Sequence, residues 1–117
     1  MAYTRFKGMV NNDNLDALGY NEVTAVTNAA TLDKLNGKIT SSVANLAAGA
    51  VNTITLTNSV VKATSEVQAS VAYEGAGLPL LLSVTPKDGQ IIFKVTNIDD
   101  ADALVSAYKI TYLVTNI

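Results

Sequence analysis

The feature that most constrains this chain is a series of short β-type segments between residues 48 and 116, each closed by a turn signal. Apolar and polar residues alternate within them. In residues 52–58 (NTITLTN), for example, Ile54 and Leu56 alternate with threonines. Alternation with a period of two places the apolar side chains on one face of a strand. Many short strands joined by turns are typical of an all-β sandwich. The sequence therefore predicts an all-β fold, an antiparallel β-sandwich or jelly-roll-like domain with an extended N-terminal arm.

The alternation also predicts where the strands lie. We expect them at residues 22–27, 38–42, 52–58, 65–73, 80–85, 90–97 and 109–114. A turn with Pro86 at position i+1 is expected to join two of them as a hairpin. Four Xaa-Thr-Asn tripeptides end at Asn28, Asn58, Asn97 and Asn116. They predict strand exits at which asparagine adopts left-handed backbone geometry and bonds its own backbone.

The N-terminal region differs from the rest, and we divide the chain into an arm over residues 1–36 and a sandwich domain over residues 37–117. The arm's pieces, such as a helical turn expected over residues 31–35, are too short to build a domain. Apolar and aromatic side chains in an arm have to be buried against something. Either a neighbouring subunit or the home sandwich would serve. The expected contact residues are Tyr3, Phe6, Met9 and Tyr20.

The composition argues against catalysis. The 117 residues include no His and no Cys, so a Ser or Thr nucleophile lacks its usual base and no thiolate site exists. We therefore expect no enzyme activity and no cofactor. Three carboxylates cluster at Asp99, Asp100 and Asp102, but the glycine and distant glutamate of a calcium-binding EF-hand loop are missing. We interpret this segment as a solvated loop, with cation binding left open.

Charge and hydropathy suggest which partners to expect. The net charge is −2 and the eight Lys and Arg residues are dispersed, so no nucleic-acid partner is expected. The longest apolar run, residues 78–82, is interrupted by Pro79, and the first residues lack the apolar region of a secretory signal. We therefore expect no membrane partner and folding in the cytoplasm. Charged residues make up only 15% of the chain, so some faces are expected to meet other chains.

Three stretches carry a family resemblance. The runs ITSSVANLAAGAVNTITLTNSVVKATSEVQASV, LLLSVTPKDGQIIFKVTN and AYKITYLVTNI resemble small β-sandwich proteins of tailed bacteriophages, in particular capsid decoration (cement) proteins. The resemblance implies a virion structural protein without catalytic function. Such a protein would be made in the host cytoplasm and located on the capsid surface. Its partners would be the major capsid protein and itself, commonly as a homotrimer, and it would stabilise contacts between capsomers.

Other functions remain open at this point. A tail-fibre or receptor-binding β-sandwich domain would bind a host glycan or protein, although the sequence has no heptads of a fibre stalk. A bacterial carbohydrate-binding or adhesion module is disfavoured by the absence of Trp and of a signal sequence. A small hydrolase is the alternative that the composition disfavours most.

Overall fold

The computed structural model describes residues 21–116, and within that range the protein is all-β. The eight strands are β1 (Glu22–Thr24), β2 (Ala29–Thr31), β3 (Asn36–Thr40), β4 (Val51–Thr57), β5 (Glu66–Ala72), β6 (Pro79–Lys87), β7 (Gln90–Asn97) and β8 (Lys109–Thr115). They form two four-stranded sheets packed face to face, so the predicted all-β sandwich is confirmed. No helix able to cross a membrane occurs between residues 21 and 116.

The sheets are mixed, although antiparallel sheets were expected. Sheet 1 has the order β1-β3-β8-β5 and sheet 2 the order β2-β4-β7-β6; β1 pairs with β3, and β2 with β4, in parallel. The remaining pairs are antiparallel. From β1 to β6 the chain alternates between the two sheets. Two strands that follow one another in the same sheet therefore run in the same direction. In two cases, β1 with β3 and β2 with β4, such strands are also neighbours and pair in parallel.

The sandwich begins before residue 37. Residues 1–20 of the expected arm lie outside the described residues, but residues 21–36 contribute β1, β2 and the start of β3 to the two sheets. The helical turn expected over residues 31–35 is absent, because Thr31 ends β2 and the following backbone links the sheets. Two hydrogen bonds fix this link: Leu32 N donates to Thr57 O at 3.0 Å, and Val114 N donates to Leu35 O at 2.7 Å.

The core lies between the inward faces of both sheets. Ile110, Tyr112 and Val114 of β8 are buried on one face, as the alternation predicts. Opposite them lie buried residues of β4 and β7, and the rings of Phe93 and Tyr112 meet across the core with centroids 6.2 Å apart. Polar contacts also join the sheets, because Asn52 Nδ2 donates to the Tyr108 hydroxyl at 2.7 Å. Burial raises the pKa of Tyr108.

The hairpin between β6 and β7 is present, but its turn is shifted from the expected position. Pro86 lies inside β6 opposite Ile91, and the connection is Asp88–Gly89, with Gly89 at φ 79°. A proline fits there because β6 is the edge strand of sheet 2, where a missing N–H leaves no ladder bond unmade.

Candidate interaction surfaces

A buried asparagine organises one end of the sandwich. Asn97, at the end of β7, has no exposed surface, and its side chain makes four hydrogen bonds. Its Nδ2 donates to Leu46 O at 3.1 Å and to Asp102 O at 2.8 Å. Its Oδ1 accepts from Leu78 N at 3.0 Å and from Asp99 N at 3.1 Å. An asparagine amide can make four such bonds. Three loops, residues 41–50, 73–78 and 98–108, are therefore tied together, and we call this the Asn97 end.

A second buried asparagine occupies the opposite end. Asn58 follows β4, is fully buried, and donates from Nδ2 to Lys34 O at 2.8 Å and to the Tyr112 hydroxyl at 3.4 Å. Its Oδ1 accepts from Val60 N at 3.2 Å. We call this region, with the loops 32–35, 58–65 and 88–89, the Asn58 end.

The Xaa-Thr-Asn tripeptides therefore have two roles. Asn28 and Asn116 adopt the left-handed φ that was predicted, 62° and 58°. Asn58 and Asn97 are absent from the left-handed set, although each makes the expected bond to the backbone N–H two residues later. Their burial was missed because the tripeptide is the same in all four cases. Only the packing of loops over two of the strand exits distinguishes them.

Tyr73 holds two of the loops at the Asn97 end against each other. Its hydroxyl donates to Ala76 O at 2.6 Å and accepts from Val105 N at 2.8 Å. This contact joins the β5–β6 loop to the β7–β8 loop and orders the backbone beneath the exposed side chains of both.

Exposed apolar side chains concentrate at this end. Leu78 is 56% exposed, Ile98 54% and Val105 66%. The first two are adjacent, because Ile98 N donates to Leu78 O at 2.9 Å. We define these three residues as the loop-end patch. Val105 lies against Gly75 of the β5–β6 loop, which also carries Leu78. Exposed apolar side chains grouped at one end of a domain are candidates for an interaction site.

The loops that carry the loop-end patch also carry carboxylates. The three loops carry Glu74, Asp99, Asp100 and Asp102 and no Lys or Arg. Asp99 Oδ1 accepts from Ala101 N and Asp102 N, both at 2.8 Å. These bonds favour the ionised form and lower the pKa of Asp99. The acidic segment is thus a turn fixed by its own backbone. Among residues 21–116 no group of three or more acidic side chains is arranged to hold a metal ion.

The outer face of sheet 2 forms a second surface, which we call the sheet-2 face. One row consists of Val51, Thr96 and Leu80 on neighbouring strands, and Leu82 lies at the β6 irregularity between Leu81 and Ser83. Val51, Leu80 and Leu82 are 54%, 47% and 51% exposed. The remaining members of the sheet-2 face are hydroxyl-bearing or apolar except for one glutamine and two lysines: Thr53, Thr55, Thr57, Ser83, Thr85, Lys87, Gln90, Ile92 and Lys94.

The outer face of sheet 1 has more charge. On this face Glu22 of β1 lies beside Lys38 of β3. Glu66 lies near one end of the face and Lys109 near the other. A shallow concavity of about 430 Å³ lies on this face near Gln68, Thr111 and Leu113. A mixture of positively and negatively charged side chains is typical of a solvated face.

A second concavity, of about 510 Å³, lies beside the Asn97 end. It is lined by Ala72, Tyr73, Glu74, Ser106, Ala107 and Lys109. The Tyr73 hydroxyl is already engaged with Ala76 and Val105, as described above, so the polar groups left for a ligand are those of Glu74, Ser106 and Lys109. These groups can exchange hydrogen bonds with a polar molecule.

The expected contact residues Tyr3, Phe6, Met9 and Tyr20 lie outside the described residues, so their role stays a prediction. The sequence indicates only part of the two apolar surfaces described above. The apolar run around Leu80 is visible in the sequence, but its exposure is not. No protein-family model matches the chain, and no curated protein or solved structure is significantly similar to it.

Proposed function

We propose that this chain is a structural protein of a tailed-bacteriophage particle, a capsid decoration protein. It binds the major capsid protein on the outer shell and stabilises contacts between capsomers, and it acts by binding without catalysis. The observation that carries the proposal is the sheet-2 face, where exposed Val51, Leu80 and Leu82 lie among threonines and the charged residues on β4, β6 and β7 are two lysines, Lys87 and Lys94. The resemblance of three sequence stretches to phage decoration proteins supports the same conclusion.

The size of this face suggests how it is used. Three strands about 4.8 Å apart and about 24 Å long present an area of roughly 300–400 Å². A stable interface needs about 800 Å² from each partner. One copy alone would therefore bind a capsid weakly. A homotrimer that presents three such faces would bind far more tightly, because the second and third contacts become intramolecular.

The chemistry of the face suits a large, flat protein surface. Threonine hydroxyls can donate and accept hydrogen bonds, and burial of the exposed leucines supplies the apolar contribution. The edge of β6 is blocked by Pro79, Pro86 and a register shift after Leu81, so sheet 2 is protected there from uncontrolled strand pairing. Contact through the face, without strand addition at β6, fits this arrangement.

Sedimentation of the purified protein with phage shells assembled without it tests the proposal. We expect the wild-type chain to co-sediment at a fixed ratio to the capsid protein. The double variant Thr53→Glu, Leu80→Glu places two carboxylates on the sheet-2 face and should abolish this. The matched control Gln68→Glu, Thr111→Glu adds the same charge to the outer face of sheet 1 and should bind normally. Wild-type protein that stays in the supernatant contradicts the function itself. Equal binding of both variants contradicts the assignment of the face.

A second candidate is a tail-fibre or receptor-binding domain that recognises a glycan. The concavity beside the Asn97 end favours it, because Glu74, Ser106 and Lys109 offer hydrogen-bonding groups to a sugar. Saturable binding of one oligosaccharide on a glycan array, lost in Glu74→Ala, Lys109→Ala, would support this alternative over the decoration protein.

A further inference from the structure

The loop-end patch is a preformed surface that nothing described so far covers. Leu78, Ile98 and Val105 project from loops whose backbone is held by Asn97 and by the Tyr73 hydroxyl. A surface that is already ordered loses little conformational freedom when a partner binds. The residues of the patch lie on loops beyond the strand ends that bound the sheet-2 face.

The charge around the patch selects a cationic partner. Glu74, Asp99, Asp100 and Asp102 lie on the loops that carry the patch, and these loops contain no basic residue, although Lys109 at the start of β8 lines the same concavity as Glu74. An interface with an apolar centre and a charged rim fits a partner with apolar side chains and positive charge.

The chain contains a segment with this chemistry. Residues 1–10 (MAYTRFKGMV) include Arg5 and Lys7 with no acidic residue, and Tyr3, Phe6 and Met9 alternate with them. Two cations and three large apolar side chains complement the acidic, apolar loop-end patch.

The position of Asn21 favours a contact between two molecules. Asn21 lies at the Asn58 end, where its carbonyl accepts from Lys38 N at 2.9 Å. The chain before Asn21 therefore joins the sandwich at the end opposite the patch. A donor segment at one end and an acceptor surface at the other give a head-to-tail contact between copies.

We propose that residues 1–10 of one copy bind the loop-end patch of a second copy. Tyr3, Phe6 and Met9 cover Leu78, Ile98 and Val105, while Arg5 and Lys7 meet the surrounding carboxylates. The proposal assigns the self-association surface and does not rest on the proposed capsid function.

Charge reversal in the full-length chain tests this contact. Variant one, Arg5→Glu, Lys7→Glu, reverses the segment. Variant two, Asp100→Lys, Asp102→Lys, reverses the patch and spares Asp99, whose carboxylate holds the turn. In sedimentation velocity at low salt, the wild-type chain should associate, and each variant should weaken its association at least tenfold. The control Lys62→Glu, Lys87→Glu makes the same charge change as variant one at the Asn58 end and should associate as wild type does.

Mixing the two variants decides between contacts within and between molecules. Each variant then offers a segment and a patch of opposite charge to the other, so the equimolar mixture should regain association. A mixture that remains monomeric overturns the proposal, since a segment bound to its own sandwich gains nothing from mixing. A monomeric wild-type chain, or charge-reversed variants that associate normally, also overturns it. Unchanged urea midpoints confirm that the variants remain folded.

The apolar part of the contact has its own test. Ile98→Ser should weaken association of the full chain about tenfold, because it removes an exposed apolar side chain from the centre of the patch. Leu113→Ser, which changes an exposed leucine on sheet 1, is the matched control and should have no effect. Equal behaviour of the two variants would contradict the placement of the interface.

Discussion

The two ends of this sandwich use the same device and present different surfaces. At each end the last residue of an Xaa-Thr-Asn tripeptide is fully buried and bonds the backbone of neighbouring loops, Asn58 at one end and Asn97 at the other. Yet the large apolar side chains that the structure leaves exposed include Leu78, Ile98 and Val105 at the Asn97 end and none at the Asn58 end.

The difference shows that loop order and surface chemistry are set independently. Both asparagines satisfy backbone groups that the strand ladders leave unpaired, which is a requirement of burial at either end. What the loops then display depends on their outward residues. At the Asn58 end these include Lys62, Lys87 and Asp88, which favour solvation. At the Asn97 end they are apolar with an acidic surround, which favours a partner.

Removal of the two asparagine amides should have the largest effect. Asn97→Ala removes four hydrogen bonds to loop backbone, of whose partners Leu46 O keeps its bond from Leu104 N, and should lower the free energy of unfolding by about 3–5 kcal/mol. Asn58→Ala loses three bonds and should cost about 2–4 kcal/mol. Urea denaturation measures both. Asn45→Ala, in an exposed position of the 41–50 loop, is the control and should stay within about 0.5 kcal/mol of wild type. If Asn97→Ala matches that control, the asparagine does not organise its end.

A glycine at each end separates backbone strain from packing. Gly77 has φ 90° and a Cβ there would lie 2.7 Å from Leu104 Cδ2, whereas Gly89 has φ 79° and open space around it. Both substitutions to alanine incur left-handed strain, of about 1–2 kcal/mol. Gly77→Ala should cost about 2–4 kcal/mol in all, because it also displaces a buried leucine. Equal thermal unfolding shifts for the two variants would mean that the loops at the Asn97 end are loosely packed.

The Asn58 end should respond to alkaline pH. Burial raises the pKa of Tyr112, and the negative charge of Asp33 raises it further, against a smaller lowering by the Asn58 hydrogen bond. The folded state therefore keeps a proton that the unfolded tyrosine loses near its ordinary pKa of about 10. Stability should be fully retained below pH 10 and decline as pH rises beyond it.

Tyr112→Phe isolates this effect. The variant should lose about 1–2 kcal/mol at pH 7, because the hydroxyl no longer donates to Lys34 O at 3.1 Å. Its stability should then depend less steeply on pH above 10 than that of wild type in urea titrations. The raised pKa of Tyr108 leaves some slope in both proteins. An unchanged slope would place the alkaline sensitivity elsewhere.

The smallest effect on stability is expected at the exposed apolar residues. Leu78→Ser and Val105→Ser remove side chains that are more than half exposed, so each should change the free energy of unfolding by no more than about 0.5 kcal/mol. Both variants should nonetheless weaken association of the chain, measured by sedimentation. A large loss of stability would show that these residues belong to the core rather than to an interface.

The sequence by itself determined the fold class and most strands. The period-two pattern in β4 and β8 grouped Ile54 with Leu56 and Ile110 with Tyr112, and these residues are buried, because alternation fixes which side chains share a face of a strand. The expectation that the chain lacks catalytic function rests on the residue types that are missing, and it stays a prediction. The acidic loop was interpreted as a solvated turn, and Asp99 forms one.

Only the tertiary structure decided how the strands are arranged and which polar residues are buried. Alternation is the same for parallel and antiparallel pairs, so the parallel partners of β3 and β4 could not be derived from it. Local turn preference predicts Pro86 at position i+1 of a turn. In the structure Pro86 pairs with Ile91 of β7 and lies inside the edge strand β6. Four asparagines end the same type of tripeptide, but only two of them, Asn58 and Asn97, are buried, because loops cover their amides. These properties depend on contacts between residues far apart in the chain, and such contacts leave no local signal in the sequence.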